Sequence, residues 1–258
     1  SMADPAVAGG LALLVQRYRQ LNGPASDPDN GLMKALLCNT ATDKGPAGPD
    51  YSYGFGWMNL LRAVQALENG YYTQGTVGTG GDNTFNINVP ANTAQLKVML
   101  YWNDPAAAPI TSKALVNDLD LRLTTTAPAT YLPLILDSSA TGVTNPAVPG
   151  VDVMNNIEQV TIDNPTGTYT VHVAGSSVPV NGPQSYYVTY DIVPVSTTIT
   201  YPTGGEKMMP GDIVILSWDS WGGTAETFTL EFSSDNGATW DPPISSTVPA
   251  GQRYFVWT

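Results

Sequence analysis

The chain has 258 residues, of which 42% are hydrophobic and 12% are charged. This is enough apolar material for one to three globular domains. The formal net charge is −12, and the ten Lys and Arg residues are spread along the sequence, so the clustered basic residues that bind nucleic acid are missing. No apolar run approaches the roughly 20 residues that cross a bilayer. Cys38 is the single cysteine, which excludes an internal disulfide.

The N-terminal stretch predicts an amphipathic helix. Its apolar residues recur with a spacing of about 3.6 residues, at Val7, Leu11, Leu14, Val15, Tyr18 and Leu21. Pro5 suits only the first turn, since the N–H that proline lacks has no intrahelical partner there. Ser1 then stands at the N-terminal end of the helix, where the unpaired N–H groups and the positive end of the dipole suit a developing oxyanion. A hydrolytic nucleophile would occupy this position.

Composition divides the rest of the chain. A second helix is predicted near Asp29–Leu37 and a third near Trp57–Glu68. After Tyr71, short alternating runs rich in Thr, Val, Ser, Gly and Pro predict β-strands. We therefore predict a mainly β protein with a helical N-terminal segment. Its expected parts are a helical segment at 1–70, a β-sandwich of jelly-roll type at 71–195, and a partial immunoglobulin-like β-sandwich at 196–258 that is too short for seven strands.

Three motifs in the helical segment resemble the subtilisin-like serine peptidases, or subtilases. They are Ser1-Met2-Ala3-Asp4-Pro5 with the Val7-Ala8-Gly9 that follows, Leu32–Leu37 with Thr40–Asp43, and Tyr53–Val64, which is similar to the family's Gly-x-Gly-x-Val-Asn-Leu-x-x-Ala-Val close. The resemblance implies that Ser1 is the nucleophile of an endopeptidase that acts through an acyl-enzyme. A Ser-Met pair is also what removal of an expression tag leaves, but the match continues from Ala3.

The same resemblance implies what this chain lacks. In subtilases the orienting Asp, the base His and the Asn of the oxyanion hole precede the serine. We therefore expect the chain by itself to be inert, with the missing N-terminal part of the protease domain and a peptide substrate as its partners.

The β-rich parts carry two further resemblances. Residues 71–195 resemble the β-barrel domain that follows the protease domain in some secreted alkaline subtilases, through Tyr101–Pro105, Leu115–Leu121, Asn155–Val160 and Gly167–Val171. From Ile199 onward, the chain resembles immunoglobulin-like accessory modules of secreted bacterial enzymes. Both resemblances imply a secreted, extracellular protein.

His172 is the only histidine available within the chain to replace an absent base. It lies in Tyr169–Ala174, whose alternation places Val171 and Val173 inward and His172 outward. We therefore predict a surface histidine on a β-strand rather than a catalytic base.

Acidic and amide side chains in the middle region predict a calcium site. Asp118 and Asp120 share one face of a predicted strand, opposite Leu119, Leu121 and Leu123. Their oxygen atoms are hard ligands that suit a hard cation. The predicted ligands are Asp104, Asn117, Asp118, Asp120, Asn156 and Glu158. The alternative is that these residues serve only the geometry of turns.

Two functions from different classes remain open. The leading hypothesis is the C-terminal portion of a secreted subtilase. The alternative is an adhesion or carbohydrate-binding protein with a non-catalytic helical start, whose aromatic residues stack on sugars: Trp218, Trp221, Trp240 and Tyr254. The apolar stripe of the first helix also needs a cover, so we expect it to pack on the β-domain, on the other helices, or on a second copy in a homo-oligomer.

Overall fold

The computed structural model describes residues 2–127, 129–209, 211–222, 227–249 and 251–258. The helices are α1 (Ala3–Asn22), α2 (Asn30–Thr40) and α3 (Leu60–Glu68). The strands are β1 (Tyr72–Val77), β2 (Asp82–Val89), β3 (Thr93–Tyr101), β4 (Asp118–Thr125), β5 (Thr130–Tyr131), β6 (Leu134–Ile135), β7 (Val148–Pro149), β8 (Ile157–Asp163), β9 (Gly167–Ser177), β10 (Gln184–Pro194), β11 (Ser196–Tyr201), β12 (Val214–Trp221), β13 (Thr227–Leu230), β14 (Ser245–Pro249) and β15 (Tyr254–Trp257). The prediction of a mainly β protein with a helical N-terminal segment is confirmed.

The chain forms two compact units. The first comprises residues 1–90 and 96–192, and the second comprises residues 91–95 and 193–258. All three helices lie in the first unit. Within the described residues, no helix is both long enough and apolar enough to cross a membrane.

Two four-stranded sheets, in the orders β1-β10-β3-β8 and β2-β9-β4-β5, and the short pair β6-β7 build the β part of the first unit. The pairs β2–β9, β4–β9 and β1–β10 are antiparallel. Alternate residues of both sheets form one apolar core around the fully buried Trp102, whose Nε1 donates to the Asn117 carbonyl at 3.0 Å. Val171 and Val173 point into this core, as their alternation predicts.

The helices of the first unit form a second apolar cluster. Leu14 of α1, Leu36 of α2 and Leu67 of α3 are buried in it. The α3 N-cap is Asn59, whose side chain accepts a hydrogen bond from the Arg62 N–H at 3.1 Å. The other helices therefore cover the middle of the α1 stripe, but its ends, Val7 and Leu21, remain exposed.

The second unit contains the sheets β11-β12-β15 and β13-β14. Its core includes the buried Trp218, which makes an edge-on contact with Phe228 at a centroid distance of 6.1 Å. An Asp-Asn-Gly turn follows β13, in which Asp235 accepts hydrogen bonds from the N–H and the hydroxyl of Thr239. Asn236 and Gly237 both adopt positive φ there, which these two residue types tolerate best.

Gly56 shapes the connection between α2 and α3. Its φ is +109°, and a Cβ at this position would lie 2.1 Å from the Thr42 carbonyl oxygen, which accepts a 2.8 Å hydrogen bond from the Trp57 N–H. Gly54 also has a positive φ of +62°, but a Cβ there would meet nothing within 4 Å. The two glycines thus share a backbone conformation that other residues rarely adopt, and they differ in the space around them.

We expect Gly56→Ala to lower the free energy of unfolding by about 3 kcal/mol, because a steric clash adds to the cost of the positive φ. Gly54→Ala should cost about 1 kcal/mol, the penalty of the left-handed region alone. Urea denaturation followed by circular dichroism measures both values. Equal losses in the two variants would show that crowding at Gly56 does not matter.

Candidate active-site helix and carboxylate cluster

The predicted nucleophile, Ser1, lies outside the described residues. The described chain begins at Met2, the N-cap residue of α1, whose side chain is exposed and makes no capping hydrogen bond. Asp4 and Pro5 occupy the first turn of α1. The N–H groups of the first turn and the positive end of the α1 dipole lie at this end of the helix, together with the acidic Asp4.

Helix α1 is held through α3 and the residues just before it. The Arg17 Nε donates to Glu68 Oε1 at 2.8 Å, which ties α1 to the last residue of α3. Gly10 allows a close approach, since a Cβ there would lie 2.8 Å from Met58 Sδ. The placement of the N-terminal end of α1 therefore depends on where α3 lies.

His172 lies on the outer face of the sheet that contains β9, as predicted. Its Nδ1 is 3.1 Å from Asp82 Oδ2 and 3.0 Å from Arg122 Nη2, and its Nε2 is 3.1 Å from Thr124 Oγ1. The register places Thr84, His172 and Arg122 side by side on three neighbouring strands. Both ring nitrogens are thus engaged in a polar cluster across the strands.

An apolar groove lies between α1, α2 and the connection that precedes α3. It encloses about 660 Å³ and is lined by side chains that include Val7 and Leu11 of α1, Met33 and Leu37 of α2, and Phe55 and Met58. Cys38 also lines it, and burial raises the pKa of the Cys38 thiol. A neutral thiol in an apolar wall has the character of a packing residue rather than a nucleophile.

Three of the predicted calcium ligands bind the protein's own backbone. Asp104 accepts hydrogen bonds from the Val116 N–H at 2.7 Å and the Asn117 N–H at 2.8 Å. Asn117 donates to the Val180 carbonyl at 2.8 Å, and Asn156 donates to the Trp102 carbonyl at 2.7 Å. These contacts fit the alternative role, in which such residues shape loops.

The other three predicted ligands, Asp118, Asp120 and Glu158, belong to a carboxylate cluster that also contains Asp152. Glu158 is 2% exposed, and its Oε2 accepts a 2.7 Å hydrogen bond from the Leu121 N–H. Asp118 Oδ2 is 3.2 Å from Lys113 Nζ, while Asp120 accepts from the Ser176 hydroxyl. Glu158 Oε1 and Asp118 Oδ1 are buried without a hydrogen-bond partner. Two orphaned carboxylate oxygens thus occur in one crowded group of acids.

Electrostatics in this cluster disfavour full ionisation. Burial raises the pKa of Glu158 well above its usual range, and the charges of Asp120, Asp152 and Asp118 add to the rise. Burial also raises the pKa of Asp118, with Lys113 acting in the opposite direction. In the part of the chain that the structure describes, no three His, Cys, Asp or Glu side chains are already arranged to hold a metal ion.

Asp152 is the member of the cluster that sequence reasoning missed. It lies in the loop before β8, where its Oδ1 accepts hydrogen bonds from the Met154 and Asn155 N–H groups at 2.8 and 3.0 Å. The sequence signal is an aspartate followed by Asn155 three positions later, a pattern typical of a side-chain-closed turn. Only the fold shows that this turn lies beside Glu158.

In the presence of EDTA, we expect the free energy of unfolding to fall as the pH rises from about 4.3 through the folded-state pKa of Glu158. The reason is that the unfolded chain releases this proton first, so the folded state binds more protons over that range. Glu158→Gln should remove this contribution and be more stable than the wild type at pH 7.5. Urea denaturation between pH 4.5 and 8 tests this, and identical pH profiles for the two proteins would contradict it.

Comparison with known proteins gives one family match, one similar curated protein and two similar solved structures. The subtilase family model matches residues 1–56. A serine protease/ABC transporter B family protein, tagA, of Dictyostelium discoideum is 30% identical over 204 residues, which is 71% of this chain and 11% of that protein. The structure of the Aeromonas sobria serine protease with its chaperone aligns at 14% identity and a TM-score of 0.24, over 74% of this chain and 43% of the protease chain. The protease alone aligns at 13% identity and a TM-score of 0.22, over 68% of this chain and 42% of its own.

The two sequence comparisons agree with each other. The TM-scores of the two structural alignments are too low to indicate a shared fold. The chain spans about a tenth of the curated relative that it matches. The match of residues 1–56 to the subtilase model begins at Ser1, just before α1, and ends at Gly56 in the connection between α2 and α3. Through this segment, the chain is related to the serine peptidases of the subtilase family.

Proposed function

We propose that this chain is the serine-bearing C-terminal part of a subtilisin-like serine endopeptidase, followed by β-domains of the same protein. The observation that carries the proposal is the subtilase match over residues 1–56, in which Ser1 directly precedes the uncapped end of α1. The N–H groups of the first turn of α1 would support the serine in the whole enzyme. The whole enzyme would hydrolyse peptide bonds in protein substrates.

The proposed chemistry divides between this chain and the preceding part of the domain. Ser1 Oγ attacks the peptide carbonyl carbon while its proton passes to a histidine, and the amine leaves with a proton from that histidine. Water then hydrolyses the resulting acyl-enzyme. The N-terminal end of α1 and an asparagine stabilise the oxyanion. His172 is engaged by Asp82, Arg122 and Thr124, so the base, its orienting aspartate and the asparagine would come from the preceding part.

The apolar groove supports this division. Its wall combines residues of α1, α2 and the connection after them, and it is continuous with the exposed Val7. We propose that the preceding part of the peptidase domain covers this groove. Removing its apolar surface from water would stabilise the protein by about 25 cal/mol for each Å² buried. A second copy of this chain is the competing occupant.

A fluorophosphonate serine probe tests the peptidase proposal. We expect no labelling of this chain alone, and labelling of Ser1 in the natural gene product extended to include the preceding part. Ser1→Ala should abolish labelling of the longer protein, whereas His172→Ala should leave its rate within about twofold of the wild type. Labelling of the short chain, or of the longer Ser1→Ala variant, would contradict the proposed division of the triad.

The groove has a separate test. Analytical ultracentrifugation of this chain and of the extended protein compares their association. A monomeric extended protein, with Val7→Asp disturbing only its stability, supports coverage by the preceding part. Dimers of the extended protein that Val7→Asp dissociates would instead assign the groove to a homo-oligomer.

We also propose that the first unit contains a jelly-roll β-sandwich and that residues 196–258 are part of an immunoglobulin-like module of an extracellular protein. The single core shared by two antiparallel sheets supports the first assignment. The packing of Trp218 on Phe228 between the β12 and β13 sheets supports the second. The adhesion alternative is not favoured, because Trp218 is a core residue and the sequence matches are to peptidases.

We further propose that the carboxylate cluster binds calcium. The supporting observation is the pair of buried, unpartnered oxygens, Glu158 Oε1 and Asp118 Oδ1, in a group of four acids with Lys113 as the neighbouring cation. A hard cation would satisfy both oxygens and neutralise the repulsion with Asp120 and Asp152. Since the four side chains are not yet arranged around a common point, binding would require them to adjust. The ion would serve stability rather than peptide hydrolysis.

Calcium should stabilise the EDTA-treated protein by about 2.7 kcal/mol at a concentration 100 times the Kd. For a chain of this size, the corresponding rise in Tm is about 5–10 °C. Differential scanning calorimetry of the wild type, Glu158→Gln and Asp118→Asn measures this rise, with Asp137→Asn at an exposed turn as the matched control. The two cluster variants should lose the response and the control should keep it. A response that survives in Glu158→Gln would place the ion elsewhere.

A further inference from the structure

A buried polar layer lies within the first unit, between α2 and α3 on one side and the sheet β1-β10-β3-β8 on the other. Asn39 of α2 donates hydrogen bonds to the Lys97 and Thr189 carbonyls at 3.3 and 3.1 Å, and its Oδ1 accepts one from Gln159 Nε2 at 3.0 Å. All four residues are buried. One amide side chain therefore joins α2 to β3, β8 and β10, where an apolar side chain would be the usual choice.

An ion pair joins α3 to the same sheet. Arg62, in the first turn of α3, donates from Nε to Asp191 Oδ2 at 2.9 Å and from Nη2 to Asp191 Oδ1 at 2.7 Å. The two side chains are 13% and 7% exposed, so the pair is largely shielded from water. This fork-shaped geometry fixes orientation as well as distance. Asp191 thus receives the guanidinium of a residue in the first turn of α3.

Lys97 of β3 makes the matching contact at the end of α2. Its Nζ donates at 2.7 Å to the carbonyl of Ala41, the C-cap residue of α2, and it lies 4.0 Å from Asp191 Oδ2. A cation is favourable at the C-terminal end of a helix. The sheet thus presents a positive charge to the end of α2 and a negative charge to the start of α3.

We propose that Lys97 and Asp191 are positioning residues that clamp α2 and α3 onto the sheet and thereby place α1, the helix that carries the candidate serine. The role of the clamp in placing the serine rests on the proposed function, whereas the docking of α2 and α3 onto the sheet does not. Helix α1 packs on α3 and is tied to it by Arg17 and Glu68, so the position of α3 is passed on to α1. A buried polar layer with specific partners permits one docking register, whereas an apolar layer tolerates sliding.

The charged groups around Lys97 make the clamp sensitive to pH. Burial lowers the pKa of Lys97 to about 8, Asp191 and Asp43 act against this shift, and Arg62 adds to it. The unfolded chain holds the lysine proton up to about pH 10.4, so it binds more protons than the folded state between those values and stability rises with pH. We expect the wild type to gain stability relative to Lys97→Met between pH 7.5 and 9.5, by about tenfold in the unfolding equilibrium constant. Parallel pH profiles would overturn the pH sensitivity of the clamp, because they would show that the pKa of Lys97 is the same in the folded and the unfolded chain.

Hydrogen exchange at pH 7 tests positioning directly. Asp191→Asn should raise the exchange rates of α1, α2 and α3 amides at least tenfold, while β4 and β9 amides near Leu121 and Val171 change less than twofold. Asp27→Asn is the matched control, because the Arg19–Asp27 pair lies on the same helical segment but is exposed. Asp191→Glu should recover part of the protection.

Two outcomes would overturn the clamp: unchanged helix exchange in Asp191→Asn, or an equal rise in helices and β4/β9. Should Asp191→Asn fail to fold, the triple variant Arg62→Leu/Lys97→Met/Asp191→Leu removes all three charges without leaving one buried alone. It should fold and still lose the selective protection of the helices. Neither readout uses Ser1 or peptide hydrolysis, so these results stand apart from the test of the peptidase proposal.

Discussion

The first unit depends on the burial of strand β3 on both of its faces. Leu96, Val98 and Leu100 point into the core between the two sheets, while Lys97, Met99 and Tyr101 are buried on the opposite side. An antiparallel strand of a sandwich normally turns one face to water. Here the second face is covered, and Asn39, Ala41 and Arg62 supply the polar contacts that a buried lysine and the nearby Asp191 require. The helices are therefore part of the β-domain's own structure.

This arrangement gives the β-strands a part in the candidate active site. Asp191 holds Arg62 of α3, and Glu68 of α3 holds Arg17 of α1. Two side-chain contacts therefore connect β10 to the helix whose N-terminal end carries the candidate serine. In a peptidase that divides its triad between two parts of the protein, both parts need a fixed relative position. The carboxylate cluster around Glu158 is a second group of buried polar residues in the first unit, in which burial and the neighbouring acids raise the pKa of Glu158.

The sequence pattern predicted the secondary structure well, because the spacing of apolar residues along a helix or strand depends on near neighbours in the chain. The alternation of Leu119, Leu121 and Leu123 with Asp118 and Asp120 is reproduced in β4, and the order of helices and strands follows the composition of the chain. Lys97 alternates with the core residues Leu96 and Val98, yet it is buried as well. Which element covers the second face of a strand depends on residues far away in sequence. Asp152 was missed for the same reason, because its turn is local but its neighbours are not.

The separations along the chain within the polar layer have a consequence for how the protein is made. Asn39 bonds to Thr189 across 150 positions, and Arg62 bonds to Asp191 across 129. Contacts between residues so far apart in sequence form slowly, because a long loop must lose conformational entropy before the stabilising contacts can form. During synthesis, the helices therefore emerge well before the strand that completes their polar partners. The Thr189 carbonyl and the Asp191 carboxylate, which accept hydrogen bonds from Asn39 and Arg62, are thus made more than 100 residues after the helices, so the helical segment can dock fully only once β10 has been synthesised.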